Sequence, residues 1–420
     1  MRIAFANVMP QPISPSCGKE TTSERIRRYG NELLHRVLAR GTPFNHPHHM
    51  TLRSFSLGEV AEILDVSGSS LRQLSIDGLG PTPELGTAGR RSYTLRQINE
   101  LRAYLASARP KEALKFCPRR REGEKLQIIS VASGRGRTPT ALYLAQGLAL
   151  QGFRILAIDL DPESWLSEMF GYSSNALGLG RNASMYAVIR DDDCRTSIRS
   201  VIRSTHFDGL DLVPGSHELN LFEYEYNRHS ETLKGSDVRG RMVSAIKEVD
   251  ENYDVVVIHC APKYSDLNLT AIEAATGVLV TVRPQLPDIA STGRFLNIFS
   301  NLVASREKTG TPVSYDFIKF LVTRHDPRDV SQQETVALLR GSLGDDLLTA
   351  TVWISDAIQE ARRRKRSLYE LSAGAVGRSA YEQAMESLNS TNAEVMDIIR
   401  EVWGRPSQAS RSTAAGKAKS

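Results

Sequence analysis

Ala132-Ser133-Gly134-Arg135-Gly136-Arg137-Thr138 joins an apolar strand-like run to an apolar helix-like run. A glycine-bearing turn at that junction lets backbone N–H groups close around phosphate oxygens at a helix N-terminus. Gly134 and Gly136 allow the turn, Arg135 and Arg137 bring charge, and Thr138 offers a hydroxyl to Mg²⁺. Pro139 falls in the first helical turn, where a missing N–H is tolerated. A glycine-rich turn alone is a weak signal, so the neighbouring segments decide its meaning.

Two further runs end in side chains suited to the same site. Ile155-Leu156-Ala157-Ile158 leads into Asp159 and Asp161, carboxylates that can hold a hydrated Mg²⁺ or orient water; the alternative is capping of the next helix. Val255-Val256-Val257-Ile258 ends at His259. An aspartate there would complete a Mg²⁺ shell, whereas neutral imidazole is a poor ligand for a hard, oxygen-seeking cation. His259 therefore reads as a lost metal position.

The elements that must position these residues follow from hydrophobic patterning. Strands are expected at 126–131, 153–158, 210–214, 253–259, 276–283 and 317–323, several of them continuous apolar runs, with helical stretches between them. Such alternation predicts an α/β fold, a parallel sheet with helices on both faces, over residues 126–405. Residues 406–420 are Ser/Ala/Lys-rich and are expected to be disordered.

Residues 51–108 read as a separate unit. Ser56 and Glu59 form a capping box, opening a helix through Val60 and Leu64. Asp65-Val66-Ser67 makes a turn, and a second helix carries Leu71, Leu74 and Ile76 inward as far as Gly78. Helix, tight turn, helix is the spacing of a helix-turn-helix, which puts Ser69, Ser70, Arg72 and Gln73 toward a major groove. The 80–93 segment then resembles a wing with Arg90 and Arg91 at its tip, suited to phosphate contacts. Other small helical domains share this helix spacing; the basic wing favours DNA. Thr94 and Gln97 suggest another capping box.

Residues 1–50 contain one amphipathic helix near 20–40, with Ile26, Tyr29 and Leu33 on one face, followed by a Pro/His connector at 46–49. The apolar face suits either a second copy of the chain, and so a homodimer, or packing back on its own chain. Residues 109–125, with Pro118-Arg119-Arg120-Arg121, read as a solvated basic linker. Arg362-Arg363-Arg364-Lys365-Arg366 is a further basic run, which by itself reads as solvated surface.

The bulk numbers narrow the class. The 420 residues carry 53 Lys+Arg against 48 Asp+Glu, a net charge of +5, so local clusters say more about DNA than the total does. The four cysteines form no C-x-x-C pair, which argues against a zinc or disulfide framework and fits a reducing cytoplasm. No apolar run reaches spanning length and no signal peptide opens the chain, so no membrane association is expected.

With these residues in view, the chain resembles the RepA proteins of repABC plasmids, within the ParA/MinD-type P-loop ATPases. The likeness runs from about residue 20 to 405. It includes Leu71-Arg72-Gln73-Leu74-Ser75, Gly89-Arg90-Arg91-Ser92-Tyr93-Thr94, Leu156-Ala157-Ile158-Asp159-Leu160-Asp161-Pro162, Val282-Arg283-Pro284-Gln285 and Leu321-Val322-Thr323-Arg324. The resemblance implies ATP and Mg²⁺ as cofactors, a nucleotide-sandwich homodimer and binding to operator and non-specific nucleoid DNA. It also implies operon autorepression and a centromere-binding partner of the RepB/ParB type, in a cytoplasmic, nucleoid-associated protein.

The family loop reads Lys-Gly-Gly-x-Gly-Lys-Thr-Thr. Its signature lysine falls on Ala132, its first glycine on Ser133, its main lysine on Arg137 and its magnesium threonine on Thr138. Asp161 matches the carboxylate associated with hydrolysis, and the metal aspartate of the third motif falls on His259. Arginine is longer, planar and fork-shaped, so it does not reproduce the compact lysine ammonium. Phosphoryl transfer depends almost wholly on positioned charge, each lost contact raising the barrier by about 2–4 kcal/mol. The expectation is a deviant P-loop protein whose hydrolysis is weak or lost.

Overall fold

The computed structural model describes residues 20–40, 47–86, 89–172, 182–190, 192–228, 238–262 and 265–406. The tail expected to be disordered, from 407 onward, and His46 of the Pro/His connector lie outside them. Two compact units are present, one ending at Asn45 and the other starting at His46. The first contains the helix Thr22–Arg40, begun by Thr21, whose hydroxyl accepts the Glu24 N–H. Ile26, Tyr29 and Leu33 are all exposed on it.

The second unit opens with β1 (Phe55–Ser56), the helices Leu57–Leu64 and Gly68–Ile76, then β2 (Glu84–Leu85) and β3 (Arg91–Tyr93). Ser56 and Glu59 form the expected capping box. Asp65 ends the first helix in the left-handed region and Ser67 caps the second. The three strands pair antiparallel in the order β1-β3-β2. Thr94 and Gln97 form a second capping box on the helix Leu95–Ala108, which buries Ile98, Leu101 and Leu105. Leu71 is buried, but Ile76, expected inward, is 63% exposed. It is the last helical residue, and the turn at Gly78 directs the chain away before anything covers it.

The sheet is built from β4 (Gln127–Ser133), β5 (Ile155–Asp159), β6 (Arg203–Ser204), β7 (Leu210–Val213), β8 (Val255–His259), β9 (Gly277–Val282), β10 (Phe317–His325) and β11 (Val352–Trp353). Its order is β11-β10-β9-β4-β8-β5-β7-β6, parallel except for the β6–β7 pair. All six expected strands are present. The edge strands β6 and β11 were missed, because two residues carry no readable period.

Side chains alternate between two cores. Ile129, Val131, Val255 and Val257 enter one, Ile128, Ala132, Val256 and Ile258 the other. Burial on both faces explains why these strands read as unbroken apolar runs. The helix Arg137–Leu150 lies against the first core together with the long helix Arg378–Val402. Their approach is close: a Cβ on Gly147 would stand 2.1 Å from Asn392 Nδ2. Asn392 donates to the Tyr143 carbonyl (2.9 Å) and to the Tyr369 hydroxyl (3.0 Å).

The 55–108 segment shares the first core rather than standing apart from it. Arg102, only 3% exposed, donates to the carbonyls of Phe116 (3.1 Å) and Leu150 (2.8 Å). This guanidinium therefore caps the far end of the helix that begins at the glycine-rich loop. Burial pushes the Arg102 pKa down to about 10. The connector expected to be solvated is partly packed. Phe116 is fully buried, and Arg120 pairs with Asp250 at 2.8 Å. Arg405 reaches back to the carbonyls of Pro118 (2.8 Å) and Arg119 (2.7 Å).

Candidate phosphate-binding site

The glycine-rich turn leaves β4 in the middle of the sheet, where β9 lies on one side and β8 on the other. Strand order reverses there, and α/β proteins hold ligands at such points, beyond the C-terminal strand ends. The two glycines are required by their neighbours. A Cβ on Gly134 would lie 2.1 Å from the Thr281 carbonyl oxygen, and one on Gly136 would lie 2.6 Å from Thr323 Oγ1. Gly136, at φ 100°, also begins the helix Arg137–Leu150 in a conformation open to glycine. Ser133, where the family has glycine, keeps a left-handed φ of 64°, at a cost of about 1–2 kcal/mol.

Those contacts bring two unforeseen arginines to the loop. Thr281 and Val282 precede Arg283, and Thr323 precedes Arg324. Thr323 Oγ1 donates to the Arg135 carbonyl at 2.7 Å, fixing the loop against β10. Arg135 is exposed, with Asp288 3.7 Å away. Burial, and then the charges of Arg283, Arg135 and Arg362, hold the Arg324 pKa below its ordinary value. Arg362 also lies over the Trp165 ring, 5.5 Å from its centre.

Behind the loop the structure joins three residues singled out in the sequence. His259 Nδ1 is 2.9 Å from Asp159 Oδ1, and His259 Nε2 is 3.0 Å from Thr138 Oγ1. A carboxylate only accepts, so Nδ1–H donates to Asp159, and in the neutral ring Nε2 then accepts the Thr138 O–H. Asp159 also accepts from the N–H groups of Asp161 (3.0 Å) and Ser167 (2.9 Å) and from the Ser167 hydroxyl (2.7 Å). Ser167 Oγ in turn accepts the Gly215 N–H at 2.8 Å. His259 and Asp159 are essentially buried, at 1% and 0% exposure.

A resident Mg²⁺ does not fit this arrangement. The two residues assigned to it, Thr138 and Asp159, are tied to one imidazole, and the second Asp159 oxygen is held by Ser167. Among the described residues, no group of three or more His, Cys, Asp or Glu is placed to hold a metal. Asp161 is set back beside this chain, its Oδ1 accepting the Glu163 N–H at 3.0 Å. Burial raises its pKa, and the nearby Asp159 adds to the shift. Ala132 is buried within β4 and Arg137 is half-buried at the first helical position, followed by Thr138 and Pro139. Burial pushes the Cys260 thiol up to about 12, against the opposing charge of Arg137.

The residues assigned to DNA lie on the 55–93 segment. Ser69, Arg72 and Gln73 are exposed on the helix Gly68–Ile76, and Ser70 is half-buried. Gln73 Nε2 donates to Asp77 at 2.7 Å. Arg90 is exposed beside the hairpin turn, whose residues 87–88 lie outside the described ones. Arg91 is half-buried and donates to Ser75 Oγ at 3.3 Å, tying hairpin to helix. In the C-terminal basic run, Arg366 donates to Glu370 (2.9 Å) and to the Thr51 carbonyl (3.1 Å). Arg363 and Arg364 both pair with Glu360.

Ser167, Gly215, Thr323, Arg283 and Arg324 were not assigned to the site from sequence. Arg283 directly follows β9 and Arg324 lies at the end of β10, and neither carried a local signal that pointed to the loop. Among the described residues no helix is long and apolar enough to cross a membrane.

Residues 124–309 match the AAA domain family. A Sinorhizobium fredii protein named "Putative replication protein A" is 40% identical over 360 residues, covering 84% of this chain and 88% of the relative. A Rhizobium rhizogenes protein of the same name is 36% identical over 387 residues, covering 91% and 95%. Protein SopA of Escherichia coli is 25% identical over 335 residues, covering 76% and 81%. A solved structure titled "Partition Protein" shares the fold with TM-score 0.61 and 18% identity, covering 91% of this chain and 98% of its own. The chain belongs to the RepA family of ParA-type partition proteins.

Proposed function

We propose that this chain is a DNA-binding plasmid partition protein that binds nucleotide at the glycine-rich loop and hydrolyses it weakly or not at all. The observation that carries the reading is the retained phosphate loop with His259 bridging Thr138 and Asp159 behind it. Family membership supports the partition role. The bridge argues against turnover, because the charges that stabilise a transferring phosphoryl group must converge on it, and here two carriers of the metal face an imidazole.

In this reading the 51–108 segment is a winged helix-turn-helix. Ser69, Ser70, Arg72 and Gln73 approach base edges, while Arg90 and Arg91 approach phosphates. The protein binds its operator and represses its operon, coats nucleoid DNA through basic surfaces, and meets a centromere-binding partner of the RepB/ParB type. The exposed apolar face of the helix Thr22–Arg40 supports a homodimer. If turnover is wholly absent, the same architecture serves as a repressor with a nucleotide-shaped scaffold.

Footprinting on DNA upstream of the gene tests the assignment. Protection is expected with the wild-type chain and lost with Arg90→Ala/Arg91→Ala. Protection unchanged in that double variant would remove the winged segment from the account.

A further inference from the structure

The two side chains that could hold a divalent cation beside the phosphate loop are engaged with His259 instead. Thr138 Oγ1 and Asp159 Oδ1, the donors a hydrated cation would use, lie 3.0 and 2.9 Å from the two nitrogens of one buried ring. The ring holds one oxygen of a carboxylate whose other contacts come from Asp161 and Ser167, so both potential metal ligands are already engaged. Positive charge lies on the outer side of the loop. Gly134 lies against Thr281 and Val282, so Arg283 emerges beside it; Gly136 lies against Thr323, so Arg324 emerges there. Arg135 stands between the two glycines in sequence, with Asp288 3.7 Å from its guanidinium, and its charge and that of Arg283 both bear on Arg324. Such a fork-shaped set suits phosphate oxygens directly.

We infer that the loop takes the phosphate chain of a nucleoside triphosphate as a bare anion, without a divalent cation. His259 closes the metal position, and Arg135, Arg283 and Arg324 supply the neutralising charge. The inference rests on the reading of the loop as a nucleotide site and adds its ionic form. A site of this kind prefers free ATP to its magnesium complex, because bound Mg²⁺ withdraws the phosphate oxygens that the guanidiniums would contact.

Isothermal titration of the full chain with ATP, once in EDTA and once in excess Mg²⁺, tests it. The wild-type affinity is expected to be equal or tighter in EDTA. Arg324→Ala, a change at an exposed position, is expected to weaken binding in EDTA by tenfold or more. His259→Asp is expected to reverse the preference, binding more tightly with Mg²⁺. Circular dichroism of each variant separates loss of binding from loss of folding. Wild-type affinity that rises tenfold with Mg²⁺, or no ATP binding in either buffer, would overturn the inference. Operator footprinting on the same preparation distinguishes the failures: intact protection leaves the DNA-binding role standing, and lost protection removes it.

Discussion

His259→Ala is the perturbation that probes the site most sharply. The substitution deletes one hydrogen bond to the buried Asp159 carboxylate and one from the Thr138 hydroxyl. A bond to a charged group contributes about 1.5–3 kcal/mol and a neutral one about 0.5–1.5 kcal/mol. Asp159 keeps its contacts from Asp161 and Ser167, so it is not stripped bare. A water entering the vacated space restores part of the loss. The net destabilisation is expected to be about 2–4 kcal/mol, read from urea unfolding followed by circular dichroism. Thr138→Val removes the neutral bond alone and should cost about 1 kcal/mol, and the double variant should show coupling of similar size. A His259→Ala chain within about 0.5 kcal/mol of wild type, or zero coupling to Thr138, would show that the bridge contributes nothing to the fold.

Other perturbations separate neighbouring parts of the account. Gly147→Ala drives a Cβ into Asn392, which holds Tyr143 and Tyr369; it should destabilise by about 2–4 kcal/mol in the same assay, with partial recovery in Gly147→Ala/Asn392→Ala. Gly134→Ala meets the Thr281 carbonyl and should abolish ATP binding in equilibrium dialysis while far-ultraviolet circular dichroism is retained. Burial pushes the Glu370 carboxyl up, but hydrogen bonds from His206, Ser367 and Arg366 and the His206 charge outweigh it and hold the pKa below 4.5. Its contribution to stability is therefore full above that pH and is lost as the pH falls through the lower folded value. Glu370→Gln should accordingly lower the thermal midpoint at neutral pH and lose that deficit in strong acid, as melts across a pH series would show.

Much of the fold was legible because strand burial on both faces leaves unbroken apolar runs. The runs at Ile128–Val131 and Val255–Ile258 announced central strands, and the capping residues Ser56 and Thr94 announced helix starts. Ile76 was misjudged because its periodic position falls on the last turn, where the chain departs before a neighbour can cover it. In the site, Thr138, Asp159 and His259 were recognisable as positions, but their mutual bonding was not. Thr138 and His259 are 121 residues apart in sequence and meet only because β4 and β8 are adjacent. Arg283 and Arg324 entered the site by the same route, carried there by strand order rather than by any local pattern. The connector around Arg119, Arg120 and Arg121 looked solvated because its charge run is visible in sequence, whereas Asp250, which pairs with Arg120, lies far along the chain.

The proposed function has this partition-type fold keep its loop while losing efficient turnover. Phosphate release from ATP, measured with Mg²⁺ and double-stranded DNA, tests it most directly when wild type is run beside Asp161→Ala. Equal, near-background rates are expected for the two chains. DNA-stimulated release by the wild type that Asp161→Ala abolishes would contradict it.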